Sequence, residues 1–344
     1  MEGGARNTLE REGEAGVPQH QANLVQAAKL VSAPALISPL QKARILAEAL
    51  PFIRAFHAST LIIRFGGGAM ADPALKEGFA RDVALLRLVG MNPIIVHGGG
   101  WRIDDLLQTM GLENRRQDGV RVTDEATLNV VEMVLGEINQ ELVGLINKFG
   151  AKAVGLSGQD GRFIHARRMT LPPERPGGAP RDVGLVGEVE SIDPNVIHLL
   201  MSRGFIPVIM PIGVGADGTA YHINSDAFAG TLARTLHAEK LILMTNVPGI
   251  HGRDGRLAFV LSASEAEALL RDGVVPPDLR PRVAAALSAV REGVRSVHII
   301  DGGVGSAVLL EVLTNSGIGT AMRSDAGPHF LADSRSYFAG TVDG

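Results

Sequence analysis

Leu61-Ile62-Ile63-Arg64-Phe65-Gly66-Gly67-Gly68 and Ile94-Ile95-Val96-His97-Gly98-Gly99-Gly100 decide how this chain is read. Each opens on a short continuous apolar run, as a strand buried on both faces does. Each then breaks into glycines, and a helical pattern follows. Leu75, Phe79, Val83 and Leu86 form the apolar face after the first, Ile103, Leu106, Leu107 and Met110 after the second. Gly90 and Gly111 close those helices. Glycines between a strand's end and a helix's start leave main-chain N–H groups bare at the positive end of the helix dipole, where anions bind. One such loop reads equally well as a tight turn needing positive φ. Two on successive strands, whose tips stand side by side in a parallel sheet, favour an anion cradle.

Outward from these loops the alternation continues. Strands are expected at 153–156, 206–210, 240–244 and 296–300. Helices are expected near 124–149, 194–203, 226–237, 281–292 and 306–313, and Ser262 with Glu265 makes a capping box. This pattern implies an α/β fold with a mostly parallel sheet covered on both faces. Residues 1–22 are Gly-, Glu- and Arg-rich and read as disordered; 23–57 read as an N-terminal helical segment in which Pro34, Pro39 and Pro51 start or break helices. The Pro- and Gly-rich stretch 171–182 reads as a surface loop or hairpin tip, and 323–344 as a loose polar tail.

Composition narrows the function. The 344 residues are 45% hydrophobic and 20% charged, enough for a sizeable core. Lys and Arg number 33 against 37 Asp and Glu, a net charge of −4 that disfavours nucleic-acid binding. No cysteine is present, so disulfides, thiolate metal sites and cysteine nucleophiles are excluded. No apolar run approaches a membrane span and no signal peptide is legible, so a cytoplasmic protein is expected.

Three chemistries suit glycine loops of this kind. Gly66-x-Gly68-x-x-Ala71 fits a dinucleotide fingerprint, but the second strand ends in His97 where that fold wants an acid. His97-Gly98-Gly99-Gly100-Trp101 is similar to a lipase oxyanion loop, but no G-x-S-x-G supplies a nucleophile; Gly155-Leu156-Ser157-Gly158-Gln159 lacks the last glycine. Phosphoryl transfer to a carboxylate remains. The acceptor is already ionised, so no general base is needed, only alignment of two polyanions and cations at the migrating group.

At this point the chain resembles the acetylglutamate kinases of the amino-acid kinase superfamily, over roughly residues 40–322. The carriers are Ile63–Gly67, Phe79–Val83, Val96–Gly100, Asp118–Thr123, Gly155–Gly158, His222–Asp226, Thr245–Gly249 and Gly317–Thr320, in that order. The resemblance implies a three-layer αβα sandwich of the amino-acid kinase fold with an extra N-terminal helix. Its kinase domain would run over 58–322, an acyl-amino-acid lobe at about 58–220 and an ATP lobe at about 221–322. It implies phosphorylation of N-acetyl-L-glutamate by ATP with Mg²⁺, the second step of arginine biosynthesis, no tightly bound cofactor or resident metal, and a homodimer or trimer of dimers. Carried over by position, Arg64, Asp226 and Arg282 are the catalytic group, with Asp226 orienting the two cations. Gly99, Gly100, Arg121, His222 and Asn224 hold the acceptor, Arg121 clamping its α-carboxylate. Gly66, Gly67, Thr245, Asn246 and Gly249 hold the nucleotide. His298, Glu311 and Gly317 match positions for arginine as an inhibitor.

The chain departs from the pattern at several of these places. The family has Lys at 64 and 282, Asn at 222, Asp at 246, and Gly-Gly-Met-Ile where this chain has Pro277-Asp278-Leu279-Arg280. Arg keeps the charge of Lys but differs in shape and hydration. Trp101 follows the second loop and would narrow the acceptor pocket. The departures admit two alternatives: a catalytically degenerate arginine-sensing subunit, and a kinase for a different acyl amino acid.

Overall fold

The protein is seen in a computed structural model that describes residues 38–325 except 176 and 316. The expected disordered segment 1–22, the start of the helical segment 23–57 and all but the first three residues of the tail lie outside the described residues. Contacts divide the chain into two units, 1–48 and 49–344. The described part of the first is the opening of helix α1 (Pro39–Phe56), with Leu40 and Leu46 exposed. Pro39 starts that helix, as expected, whereas Pro51 lies inside it without ending it. The carbonyl that Pro51 leaves without an N–H partner belongs to exposed Ala47, where water can serve.

The second unit carries the sheet. Its strands are β1 (Thr60–Phe65), β2 (Asn92–His97), β3 (Arg116–Gln117), β4 (Val120–Arg121), β5 (Ala153–Ser157), β6 (Ile164–Leu171), β7 (Arg181–Ile192), β8 (Ile206–Met210), β9 (Ile212–Val214), β10 (Ala220–Ile223), β11 (Lys240–Thr245), β12 (Val260–Ser262), β13 (Val297–Asp301) and β14 (Thr320–Arg323). Its helices are α2 (Pro73–Leu88), α3 (Gly100–Thr109), α4 (Glu125–Lys148), α5 (Asn195–Ser202), α6 (Ser225–Thr235), α7 (Ala263–Arg271), α8 (Arg280–Arg291) and α9 (Ala307–Leu313). Eight strands form one sheet in the order β12-β14-β13-β11-β1-β2-β8-β5, and only the β13–β14 pair is antiparallel.

Alternation along the central strands makes the layers. Leu61, Ile63 and Phe65 face one core with α2, α3, α4 and α9, while Ile62, Ile94 and Val96 face a second core with α5, α6, α7 and α8. A strand in such a sheet is covered on both faces, so its middle positions are apolar, which is why Leu61–Ile63 and Ile94–Val96 show no polar alternation. Asp72 caps α2 through the N–H groups of Ala74 and Leu75, Pro73 takes its first position, and Gly90 past its end adopts φ +92°. The Ser262–Glu265 capping box opens α7.

The turn residues at 171–182 are the one sequence hint of a second β structure. Strands β10, β7, β6 and β9 close into a small barrel, joined by the hairpin tip at 172–180. Gly184 at φ +79° lets Thr123 lie directly against β7, and a Cβ there would collide with the Thr123 carbonyl. Strand β10 feeds Asn224, which caps α6. The lobe boundary drawn near 220 therefore falls inside a strand.

Candidate active site

Strands β1 and β2 pair in parallel with Arg64 opposite Val96 and Phe65 opposite His97. The two glycine loops therefore leave neighbouring strands at the same level. The second loop is stiffened from below. His97 is fully buried; its Nδ1 donates to the Gly98 carbonyl at 3.1 Å and its Nε2 accepts from the Asn139 amide at 3.1 Å. That amide also donates to the Val208 carbonyl at 2.9 Å. Burial lowers the His97 pKa to about 4, against the pull of its Gly98 bond, so the ring is neutral and its tautomer fixed.

The loop opens on a cavity of about 780 Å³. Arg64, Gly99, Gly100, Arg121, His222, Asn224, Asp226 and Arg282 all line it, which brings the three expected catalytic residues and all five expected acceptor residues together. The first turns of α3, α6 and α8 reach it through Gly100, Ser225 and Pro281. Three helix N-termini facing one space add positive potential to that of the arginines.

Asp226 joins the two cations. Its Oδ1 lies 2.8 Å from Arg64 Nε and its Oδ2 3.5 Å from Arg282 Nε. Neither contact is an aligned hydrogen bond: the Arg64 Nε–H points at Ser225 Oγ instead, at 3.2 Å. Arg64 is buried, and burial lowers its pKa; Asp226 opposes that and Arg282 adds to it. Its guanidinium is nonetheless protonated at neutral pH. Asp226 sits in the first turn of α6, and the cap is made by Asn224, whose Oδ1 accepts from the N–H groups of Asp226 and Ala227. Asn224 is thus occupied in part with the helix, and Asp226 is left for the arginines.

At the other end Arg121 is buried yet faces the cavity. It pairs with Asp104 at 2.6 Å and also contacts Asn114 and the Gly100 carbonyl, and its Nε has no hydrogen-bond partner. Burial lowers the Arg121 pKa while Asp104 raises it. For Asp104, burial pushes upward but Asn114, Arg121 and Arg116 prevail, so its carboxyl lies below the usual range. His222 lies near these cations. Burial, then Arg121 and Arg116, lower its pKa to about 4, so it presents a neutral imidazole at pH 7. Trp101 does not narrow this cavity. It is 48% exposed and lines a separate hollow with Met70, Arg102 and Ile138, because it is the second residue of α3 and points away from the side that carries Ile103.

The expected nucleotide residues do not all meet. Gly67 adopts φ +76°, and a Cβ there would collide with the Asn246 side chain, which accepts from the Gly68 N–H. Gly67, Gly68 and Asn246 are thus one cluster, with Gly66 against the Arg64 guanidinium. Thr245 is fully buried, and its hydroxyl serves the Val247 and Ile300 backbone, so only its main chain faces that loop. Gly249 stands against Thr320.

A second, smaller hollow of about 100 Å³ is lined by His298, Glu311 and Gly317 together with Phe52, Phe56, Lys240 and Arg323. His298 Nδ1 and Glu311 Oε1 are 2.5 Å apart, Glu311 Oε2 accepts from the Ile318 N–H, and His298 Nε2 lies 3.1 Å from Lys240 Nζ. Burial lowers Lys240 to about 8.

Known proteins share this sequence and fold. Residues 59–301 match the amino acid kinase family. The chain belongs to that family. It is 53% identical over 289 residues to an acetylglutamate kinase of Polynucleobacter asymbioticus, covering 84% of this chain and 96% of that one. It is 55% identical over 285 residues to an acetylglutamate kinase of Chromobacterium violaceum, covering 83% and 98%. Among solved structures, N-acetylglutamate synthase from Neisseria gonorrhoeae, complexed with coenzyme A and N-acetyl-glutamate, superposes with a TM-score of 0.74 at 27% identity, covering 83% of this chain and 64% of that longer one. A Giardia carbamate kinase shares the fold at a TM-score of 0.56.

Folding also brings residues to these two hollows that the sequence did not announce. Asp104 and Asn114 orient Arg121, Ser225 touches Arg64, Asn139 fixes His97, and Lys240 completes the smaller hollow. Asp104 had a signal, being four residues beyond Gly100 on the same helix; the others meet only through folding. Among the described residues no helix is long and apolar enough to cross a membrane.

Proposed function

We propose that the chain transfers the γ-phosphoryl group of Mg²⁺–ATP to the side-chain carboxylate of N-acetyl-L-glutamate, in the cytoplasm and in service of arginine biosynthesis. The observation that carries this is the Arg64–Asp226–Arg282 group, set in one cavity with the second glycine loop and Arg121. A carboxylate nucleophile needs no proton removed, so the reaction asks for no general base; Asp226 is turned to two cations, and the lowered pKa of His222 makes its ring a weak base. What the cavity supplies is alignment and positive charge. Arg121 would take the acceptor's α-carboxylate, the amides of Gly99 and Gly100 its reacting end, and Gly66 and Gly67 the phosphates. Arg64 and Arg282 would stabilise charge on the phosphoryl group as it moves. The changes from Lys to Arg at 64 and 282 preserve this charge and its shared counter-ion, which supports an active kinase over a degenerate one.

An ADP-release assay with acetylglutamate tests the reading. The parent protein should turn over, and Arg64→Ala should fall by about 10²–10³, the usual loss for one preorganised charge-stabilising group. Equal inactivity of both at high enzyme concentration would sink it.

A second site favours arginine as a feedback ligand. The hollow at Glu311 joins a buried carboxylate, for a cationic end, to the Lys240 ammonium, for a carboxylate, within one small space. Arginine should raise the melting temperature and slow turnover, and Glu311→Gln should abolish both effects; a shift that survives Glu311→Gln would place arginine elsewhere. By resemblance to the family, we expect a homodimer or trimer of dimers.

A further inference from the structure

We propose that Ser225 is a positioning residue: its hydroxyl fixes the plane of the Arg64 guanidinium so that two N–H groups remain aimed between the two glycine loops. The inference rests on the kinase reading and extends it. Ser225 is the first residue of α6, where a serine would ordinarily read as part of the cap. Here the cap is made by Asn224, and Ser225 Oγ is turned to Arg64. It accepts from Nη2 at 3.0 Å and from Nε at 3.2 Å, a two-pronged grip on one edge of the guanidinium. From another side Nη1 donates to the Met244 carbonyl at 3.3 Å, on the strand that pairs with β1.

A guanidinium carries five N–H bonds. Three are spent on Ser225 and Met244, which leaves one on Nη1 and one on Nη2. Their location follows from the glycines. A Cβ on Gly66 would collide with Nη1, and one on Gly98 would stand 3.3 Å from Nη2. The group therefore lies flush between the two loops, where a phosphoryl group held by their amides would meet both free N–H bonds. Asp226 alone cannot set this plane. Its contact to Nε is a charge contact without hydrogen-bond alignment, and such a contact leaves the guanidinium free to rotate. A lysine at position 64 would have no plane to set, so the serine matters only because the residue is arginine.

Three readouts test this. In Ser225→Ala, kcat should fall about 10- to 100-fold, the range for a hydrogen bond to a charged group, while KM for ATP and acetylglutamate stays within about threefold. Ser225→Thr, which keeps the hydroxyl, should restore most of the rate, and the melting temperature should hold because Asn224 still caps α6. In an Arg64→Lys background, Ser225→Ala should change kcat by less than about threefold. Independently of turnover, the ¹⁵Nε–H resonance of Arg64, assigned by its loss in Arg64→Lys, should be sharp and slow to exchange in the parent and broadened in Ser225→Ala. An unchanged resonance would overturn the proposal, as would an equal rate loss in both backgrounds or a rate loss that tracks a fall in melting temperature. A parent protein without turnover would count against the kinase reading alone, and the resonance would still decide whether Ser225 holds the guanidinium.

Discussion

Asp226→Asn should lower kcat by about 10³ while leaving both KM values within a few-fold, because the carboxylate's charge rather than its shape organises the site. Asp226 reaches Arg64 at 2.8 Å and Arg282 at 3.5 Å, and burial with Arg282 already weighs against the charge on Arg64. The amide keeps the volume and removes the counter-charge. Two guanidiniums then share a pocket into which three helix N-termini also point, and the less buried one is Arg282, whose side chain is 26% exposed. It should swing outward, and the transition state would lose one of its two cations as well as the alignment of the other. Rapid-quench measurement of a single turnover separates this from slow product release. A loss below about tenfold would mean that the carboxylate does not organise the cations.

Arg121→Ala should act on the other substrate. KM for acetylglutamate should rise by about 10²–10³ with KM for ATP unchanged, since a buried bidentate guanidinium–carboxylate contact is among the strongest single recognitions a site can make. Arg121 is pre-oriented by Asp104 at 2.6 Å, by Asn114 and by the Gly100 carbonyl, and its unpartnered Nε shows that the protein does not consume all its donors. Alanine leaves Asp104 paired only with Arg116 and Asn114 beside the place where a carboxylate must bind, so weaker screening of its charge adds to the lost contact. Arg121→Lys should recover little, because an ammonium lacks the fork. An unchanged KM for acetylglutamate would show that Arg121 serves Asp104 only.

Much of this is legible in the amino-acid sequence. The apolar runs at 61–63 and 94–96 marked doubly buried strands because burial on both faces favours apolar residues on both sides of a strand. The glycines after them marked loops where the main chain must be approached closely, and the order of motifs pointed to the family. The small barrel was not legible. Its strands β6 and β7 carry arginines, glycines and acids, since each packs only one face, and a bulged register hides the alternation. Trp101 misled for a related reason: sequence adjacency to a site residue says nothing of the side on which a helical side chain emerges. Thr245 fell in the right segment, yet its hydroxyl was already taken by its own loop.

Local chain chemistry alone determined the strands, the glycine tips, the caps at Asp72 and Ser262 and the set of charged residues available, because each depends on neighbours within a few positions. Only the tertiary structure decided which charges meet. Arg64 is 161 positions from Ser225 and one further from Asp226, and the contacts exist because α6 packs against β1. The same holds for His97 with Asn139 and Lys240 with His298. A side chain's reach is a few ångströms, so its partner is set by the path of the backbone through space, and that path is a property of the whole packed core.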